Sequence, residues 1–287
     1  MSSITVPAYA KINLTLDITG KRSDGYHTLD SVMQSISLCD TVEIYANNSG
    51  LITVDCTDKS IPCGDTAEKN IACKAAAAFY SCARISDIGI HISIEKHIPS
   101  EAGLGGGSSD GAAVIVGMNK LYGTNFSDRQ LCDIGLKVGA DVPFCIIGGT
   151  KLCRGIGEDI SPVPPLEDCF IVIGKGSSGI STKKAYEKID SLPPSERLNS
   201  GLYDGSLASL AKSGGNIFEK VTDNRDVSEI KRINAECGAA YSAMSGSGSA
   251  VFGLYRRRAD AEKCLSLLRE KGFFAEICTP LPYSAKL

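Results

Sequence analysis

Apolar residues take every even position from 4 to 18, as Ile4, Val6, Ala8, Ala10, Ile12, Leu14, Leu16 and Ile18, while Thr5, Tyr9, Lys11, Asn13, Thr15 and Asp17 fall between them. Alternation with period two predicts a half-buried strand whose even face meets a core. Pro7 predicts an edge or a bulge near its start, because proline cannot donate to a sheet ladder. Lys11 and Asn13, two residues apart, then project from the same polar face and share one wall of whatever the strand borders.

Asp24-Gly25 predicts a loop, and apolar stretches around 41–46 and 51–56 predict further strands. Over residues 67–83 the period changes, with Ile71, Ala75, Ala78, Phe79 and Cys82 on one helical face. Ile88, Ile90, Ile92 and Ile94 return to alternation and lead into "PSEAGLGGGSSDGAA" at 99–113, after which 112–122 reads as a mostly buried helix. Ser127-Asp128-Arg129-Gln130 predicts a capped helix through about Lys137, ended by Gly139 and kept from simple continuation by Pro143. The Pro-rich stretch "SPVPPLED" follows a boundary placed after residue 155, giving domains 1–155 and 156–287. Beyond it come a strand ("CFIVIG"), helical segments, the strand-loop-strand "AAYSAMSGSGSAVFGLY", a helix through Ala261, Cys264, Leu265 and Leu268, and the strand "FFAEICT". Helices and strands mix without strict alternation, which predicts an α+β architecture.

At 287 residues the chain is long enough for two cores at about 150 residues each. Thirty Lys and Arg against thirty-three Asp and Glu leave a net charge of −3, and no basic run exceeds Arg256-Arg257-Arg258. Binding to nucleic acid is therefore not expected, because a polyanion is held by clustered positive charge. The start lacks the features of a signal peptide and no apolar run approaches a membrane span, so neither a membrane nor an oxidising compartment is expected and the cytoplasm is the expected location. The twelve cysteines show no CxxC spacing, and His27, His91 and His97 form no paired-ligand pattern. Most of the cysteines read as small buried hydrophobes.

The chemistry concentrates in the glycine run. A strand, a loop of Gly and Ser, and then a helix directs free N–H groups and the positive end of the helix at an anion. A flexible linker is the alternative, but a linker would not sit between an alternating isoleucine strand and a buried helix. Neither the Walker pattern nor GxGxxG fits, since Ser108 stands where each requires another residue, and the protein-kinase signatures are absent.

"PSEAGLGGGSSDGAA" resembles the phosphate loop of the GHMP kinases, the family of galactokinase, homoserine kinase, mevalonate kinase and phosphomevalonate kinase. "AKINLTLDITGKRSDGYHTLDSVMQSISLCD" and "GADVPF" are similar to the branch acting on 4-diphosphocytidyl-2-C-methyl-D-erythritol in non-mevalonate isoprenoid synthesis. "GISTKKAY" and "MSGSGSAVFGLY" follow in the family's order, so the resemblance covers nearly the whole chain. It implies a two-domain fold, an N-terminal α+β domain with a left-handed βαβ unit and a C-terminal ferredoxin-like α/β domain, with the active site between them. ATP, accompanied by Mg2+, would lie on Pro99, Ser100, Glu101, Ala102, Gly103, Leu104, Gly105, Gly106, Gly107, Ser108 and Ser109, with Asn70 and Lys96 near the adenine. No carboxylate in the sequence identifies itself as a magnesium ligand.

By the same resemblance Asp141 would be the base that takes the proton of the acceptor hydroxyl, and Lys11 would hold it ionised and stabilise charge on the transferred group. Taken alone, Asp141 would read as a turn residue and Lys11 as an exposed strand lysine. Tyr26 and Tyr186 would sandwich the cytosine, His27 would read its edge, and Asn13 and Thr182 would contact the erythritol or phosphates. The second glycine loop, "GSGS", would turn its N–H groups to phosphate. Gly111 departs from the family's usual alanine, which weakens the helix by up to about 1 kcal/mol. The implied activity is transfer of phosphate from ATP to the 2-hydroxyl of a small cytidine diphosphate ester; a sibling alcohol kinase and a non-catalytic sensor of the same fold are the alternatives.

Overall fold

A computed structural model describes residues 2–192 and 203–283. The chain opens with two long strands, β1 (Ser3–Lys21) and β2 (His27–Ala46), paired antiparallel along their length. β3 (Ile52–Cys56), helix α1 (Ile71–Ala83) and β4 (Ile90–Glu95) form a βαβ unit whose strands are parallel neighbours. Helices α2 (Gly106–Leu121), α3 (Asp128–Leu136) and α4 (Val142–Ile147) follow, and then the hairpin β5 (Thr150–Gly155) and β6 (Asp159–Pro162). One edge of β2 takes β5 at 29–34 and β4 at 41–46, and its other edge takes β1. The β5–β6 hairpin carries this first sheet to Pro162, past the boundary expected after residue 155.

The second sheet is fully antiparallel. It contains β7 (Phe170–Lys175), β9 (Tyr241–Met244), β10 (Val251–Tyr255) and β11 (Phe274–Cys278), in the spatial order β11-β7-β10-β9. Between β7 and β9 the chain makes α5 (Thr182–Ile189), α6 (Leu207–Ser213), the short β8 (Gly215–Asn216) and α7 (Arg225–Glu236), and α8 (Arg258–Glu270) joins β10 to β11. Helices α7 and α8 pack on this sheet, and the βαββαβ order is the ferredoxin-like arrangement. β8 leaves this unit to pair in parallel with Thr15 and Leu16 of β1, which ties the two halves together.

The alternation of β1 is present, but its even face does not meet one core. Val6 and Ala8 pack in a cluster with α1 and α2, Ala10, Ile12 and Leu14 in a second cluster with Ile171, Ile173, Phe252 and Leu254 of the second sheet, and Leu16 and Ile18 in the first again. Register shifts between Tyr9 and Lys11 and between Asn13 and Thr15 separate the three stretches. The odd face is also covered: Lys11, Asn13, Thr15 and Asp17 are all buried, where alternation predicts a half-buried strand.

Other elements differ at their limits for physical reasons. β2 is far longer than the predicted 41–46, because residues 31–36 are all buried and both faces are covered, which erases alternation. Residues 64–69 form a 3-10 turn, and α1 starts only after Asn70, whose Oδ1 accepts from the Ala72 N–H as an N-cap. Ile88 lies outside β4 and is exposed. The capping box of α3 is formed by Ser127 and Gln130. Pro143 sits in the first turn of α4, starting a new helix rather than ending one. All twelve cysteines are free thiols and eight are buried.

Candidate active site

The glycine run joins β4 to α2, and α2 begins inside it at Gly106, six residues before the apolar pattern predicts. Ala102 and Leu104 drive their side chains into the cluster beneath the second sheet, which holds the loop by its apolar residues and leaves the glycines facing outward. Each glycine admits a particular neighbour. A Cβ on Gly103 would stand 2.0 Å from the Ser245 carbonyl oxygen, and one on Gly105 would stand 2.9 Å from Cγ of Lys11. Both have φ near +75°, and Gly105 is also the N-cap of α2. No side chain caps α2, so the N–H groups of its first turn are left for an anion.

Two cavities meet at this loop. One, about 400 Å³, is lined by Ile61, Pro62, Asn70 and Lys96 together with loop residues 100–108. The other, about 760 Å³, is lined by Lys11, Asn13, Asp141, Thr182, Tyr186 and Phe218 among others. Glu101, Gly103 and Gly105 line both, so the loop is the partition between them.

Lys11 and Asp141 converge in the larger cavity, with Nζ 3.4 Å from Oδ2. Asp141 occupies the N-cap position of α4 but makes no side-chain cap bond, so its carboxylate is not taken up by the helix. Lys11 is buried and Asp141 about one-third exposed. The thiols of Cys145 and Cys153 are both pushed up to about 12 by burial, and they remain neutral filler. Burial, reinforced by the Asp141 charge, likewise raises the Tyr186 phenol to about 12, leaving it protonated.

Asn13 and Thr182 line the larger cavity, but both are already bonded. The Asn13 Oδ1 accepts from Lys11 Nζ at 2.8 Å, and the Thr182 and Ser247 hydroxyls are 2.8 Å apart, joining α5 to the second glycine loop. In that loop the Gly246 N–H donates to Asn13 Oδ1 and the Gly248 N–H to the Ser245 carbonyl, so those two groups do not face open space. His27 stacks on Tyr186 with ring centroids 4.7 Å apart, and Phe218 meets the Tyr186 ring edge-on at 5.0 Å. Tyr26 is 61% exposed and lies off the cavity wall, so the expected pair of tyrosines does not face across a gap: the imidazole stands against Tyr186 instead. Asp190 holds His27 Nε2 at 2.6 Å and Lys21 Nζ at 2.6 Å, and bonds first from Lys21 and then from His27 pull its carboxyl below the usual carboxylate range.

Of the residues expected to hold ATP, Pro99 and Ser109 are outside the lining of the smaller cavity. The Ser109 hydroxyl is buried and donates to the Tyr9 carbonyl at 2.7 Å, so it is a structural bond rather than a phosphate donor. Ser100 donates to Asp58 at 2.8 Å. Asn70 caps α1 and donates to the Pro62 carbonyl. Lys96 reaches inward, pairing with Asp40 and, at 2.7 Å, with Asp110. Burial opposes the Lys96 charge, but Asp110 and Asp40 outweigh it and its pKa is raised. Burial pushes the Asp110 carboxyl up to about 7 despite the Lys96 charge, and its Oδ1 has no hydrogen-bond partner.

Sequence reasoning missed Asp40, Asp110 and Asp190. Asp40 carries a readable signal, since it sits at a core parity position between Leu38 and Val42, where a charge demands a buried partner. Asp110 and Asp190 carry none, because each gains its role from a distant segment. Among the described residues no group of three His, Cys, Asp or Glu could hold a metal. Mg2+ commonly takes one or two protein oxygens and completes its shell with phosphates and water. Ser108 lines the smaller cavity and Glu101 lines both, its Oε2 3.3 Å from where a Cβ on Gly179 would stand, so the two supply oxygens of that kind where the cavities meet.

Comparison with known proteins agrees with this geometry. The description "GHMP kinases N terminal domain" matches residues 70–149 and "GHMP kinases C terminal" residues 207–272. A 4-diphosphocytidyl-2-C-methyl-D-erythritol kinase of Clostridium botulinum (strain Eklund 17B / Type B) is 42% identical over 275 residues, covering 93% of this chain and 96% of the relative. One from Acetivibrio thermocellus is 44% identical over 273 residues, covering 93% and 94%. A crystal structure of 4-(cytidine 5'-diphospho)-2C-methyl-D-erythritol kinase superposes with a TM-score of 0.79 at 29% identity, covering 96% of this chain and 99% of that one. With its two sheets, its uncapped glycine loop and these relatives, the chain belongs to the GHMP kinases, in the family of the 4-diphosphocytidyl-2-C-methyl-D-erythritol kinases.

Proposed function

We propose that the chain transfers the γ-phosphoryl group of ATP to the 2-hydroxyl of 4-diphosphocytidyl-2-C-methyl-D-erythritol. The observation that carries this reading is the Lys11–Asp141 pair, 3.4 Å apart, in a cavity separated from a second cavity only by the glycine loop. The relatives, named as kinases of this cytidyl ester, agree with it.

ATP lies in the smaller cavity, its base toward Ile61, Pro62 and Asn70 and its phosphates on the first turn of α2. The acceptor lies in the larger cavity with its hydroxyl at Asp141. As the bond from that oxygen to the γ-phosphorus forms and the bond to the β-γ bridging oxygen breaks, Asp141 takes the hydroxyl proton, a step typically worth 10²–10⁴-fold. Lys11 balances negative charge on the attacking oxygen and the transferred group. ADP and the phosphate ester leave on opposite sides of the loop. Glu101 and Ser108 are the residues that would hold Mg2+, which when bound neutralises phosphate charge. Tyr186 offers the face on which cytosine stacks, once His27 yields it, and Tyr26 is free to close over the other face.

Coupled measurement of ADP release with the cytidyl substrate, homoserine, mevalonate and galactose tests the assignment. Turnover with the cytidyl ester alone is expected; turnover with only one of the other three alcohols would remove it.

A further inference from the structure

The charge of Lys11 is useful only if it points at the reacting oxygens, and a lysine has four rotatable bonds to wander through. Its stem lies under Gly105 and its ammonium donates to Asn13 Oδ1 at 2.8 Å. The same Oδ1 accepts from the Gly246 N–H at 2.9 Å. The other end of the amide donates from Nδ2 to Ser31 Oγ at 2.8 Å, and Ser31 Oγ donates its single proton to the Thr15 carbonyl at 2.6 Å. Asn13 and Ser31 are both buried, at 1% and 0% exposure, so water does not substitute for any link.

The direction of these bonds is decided by chemistry. A carbonyl only accepts, so the Ser31 proton goes to Thr15 and Ser31 is left as an acceptor toward Asn13. The amide must therefore turn its NH2 to Ser31 and its oxygen to Lys11 and Gly246. Reversed, the amide would set its NH2 against an ammonium and a backbone N–H, donors facing donors. This assignment of the two amide ends follows from the network of partners.

We propose that Ser31 is a positioning residue for phosphoryl transfer: through the Asn13 amide it fixes where the Lys11 ammonium stands beside Asp141. Asn13 is then a holder of Lys11 more than a substrate contact. Because Gly246 shares the same oxygen, the second glycine loop and the first strand are registered on one atom. The inference rests on the reading of Lys11 as the cation of the transfer step.

The test is steady-state kinetics of the full chain with ATP and the cytidyl ester, for Ser31→Ala, Ser31→Thr and Lys11→Met, and for Ser31→Ala combined with Lys11→Met. Misplacing a catalytic group by about 1 Å can lower a rate by about 100-fold, so Ser31→Ala is expected to lower kcat by about 10-fold or more with both KM values within about two-fold. Ser31→Thr, which keeps the hydroxyl, restores most of kcat. In the Lys11→Met background Ser31→Ala changes kcat by less than about two-fold, because residues acting through one another are not additive. An unchanged kcat in Ser31→Ala, or the same loss with and without Lys11, overturns the proposal while leaving Lys11 as catalytic. An unchanged kcat in Lys11→Met overturns both this proposal and the reading of Lys11 on which it rests. Should Ser31→Ala not fold, Ser31→Cys keeps the volume with a weak acceptor and takes its place, with the same outcomes.

Discussion

Asp141 and Lys11 come from segments 130 positions apart, yet their charged ends lie 3.4 Å from each other, with the carboxylate about one-third exposed and the ammonium buried. The carboxylate is open to an incoming hydroxyl and free of the helix it precedes. Asp141→Asn keeps the shape and removes the basic oxygen. Its kcat should fall by about 10²–10⁴ while ATP still binds, measured by single-turnover kinetics beside nucleotide titration. Full activity in the asparagine variant would exclude Asp141 as the proton acceptor.

Gly103 and Gly111 should respond oppositely to the same added methyl. At Gly103 a Cβ would meet the Ser245 carbonyl oxygen at 2.0 Å with φ at +75°, so Gly103→Ala must push the first glycine loop off the second. Loss of stability above about 1–2 kcal/mol is expected from the left-handed backbone alone, together with a raised KM for ATP. At Gly111, on α2, a Cβ would find Ile71 Cγ1 at 3.4 Å and Ala75 Cβ at 3.7 Å, ordinary contact distances across to α1. Gly111→Ala should stabilise by up to about 1 kcal/mol with activity retained; a lower Tm for this variant would show that α1 and α2 have no room for it.

Lys96, Asp40 and Asp110 place one cation between two carboxylates in a buried site. Burial pushes Asp110 up to about 7, against about 3.9 for an unfolded aspartate. The folded chain therefore holds this proton more tightly than the unfolded chain. That contribution to stability is fully present below pH about 4 and is lost as pH rises toward 7. Asp110→Asn removes the titration. Comparing Tm at pH 5 and pH 8, the wild type should lose a share of stability that the variant keeps; parallel pH profiles would show that Asp110 is ionised throughout.

Asp190 ties α5 to the β1–β2 hairpin through Lys21 and His27. Its carboxyl lies below the usual range, so its contribution is present above about pH 3.9 and disappears as pH falls through its lowered value. Asp190→Asn weakens its hold on His27 beside Tyr186. The KM for the cytidyl substrate should shift by several-fold, with the KM for ATP unmoved. Equal shifts in both would point to general loosening of the hairpin instead.

The local patterns of the chain determined more of the fold than of the site. Alternation in 4–18, the capping box at Ser127 and the glycine run each report forces acting within a few residues, and β1, α3 and the uncapped start of α2 follow from them. The glycine loop was legible because its chemistry is written in residue types at close spacing; Lys11 and Asp141, 130 positions apart, were legible only through the resemblance to the GHMP kinases, since each alone reads as an ordinary strand or turn residue. Tertiary structure alone decided the rest. Alternation cannot tell that a polar face will be buried, so the enclosure of Asn13 and the role of Ser31 appear only when the second glycine loop lands on β1. Nor does spacing tell that Lys96 turns inward to two aspartates from β2 and α2, or that His27 takes the face of Tyr186 and leaves Tyr26 outside. Hydrogen bonds and ion pairs act over about 3 Å, and which groups come that close across a hundred residues is set by how the two sheets pack.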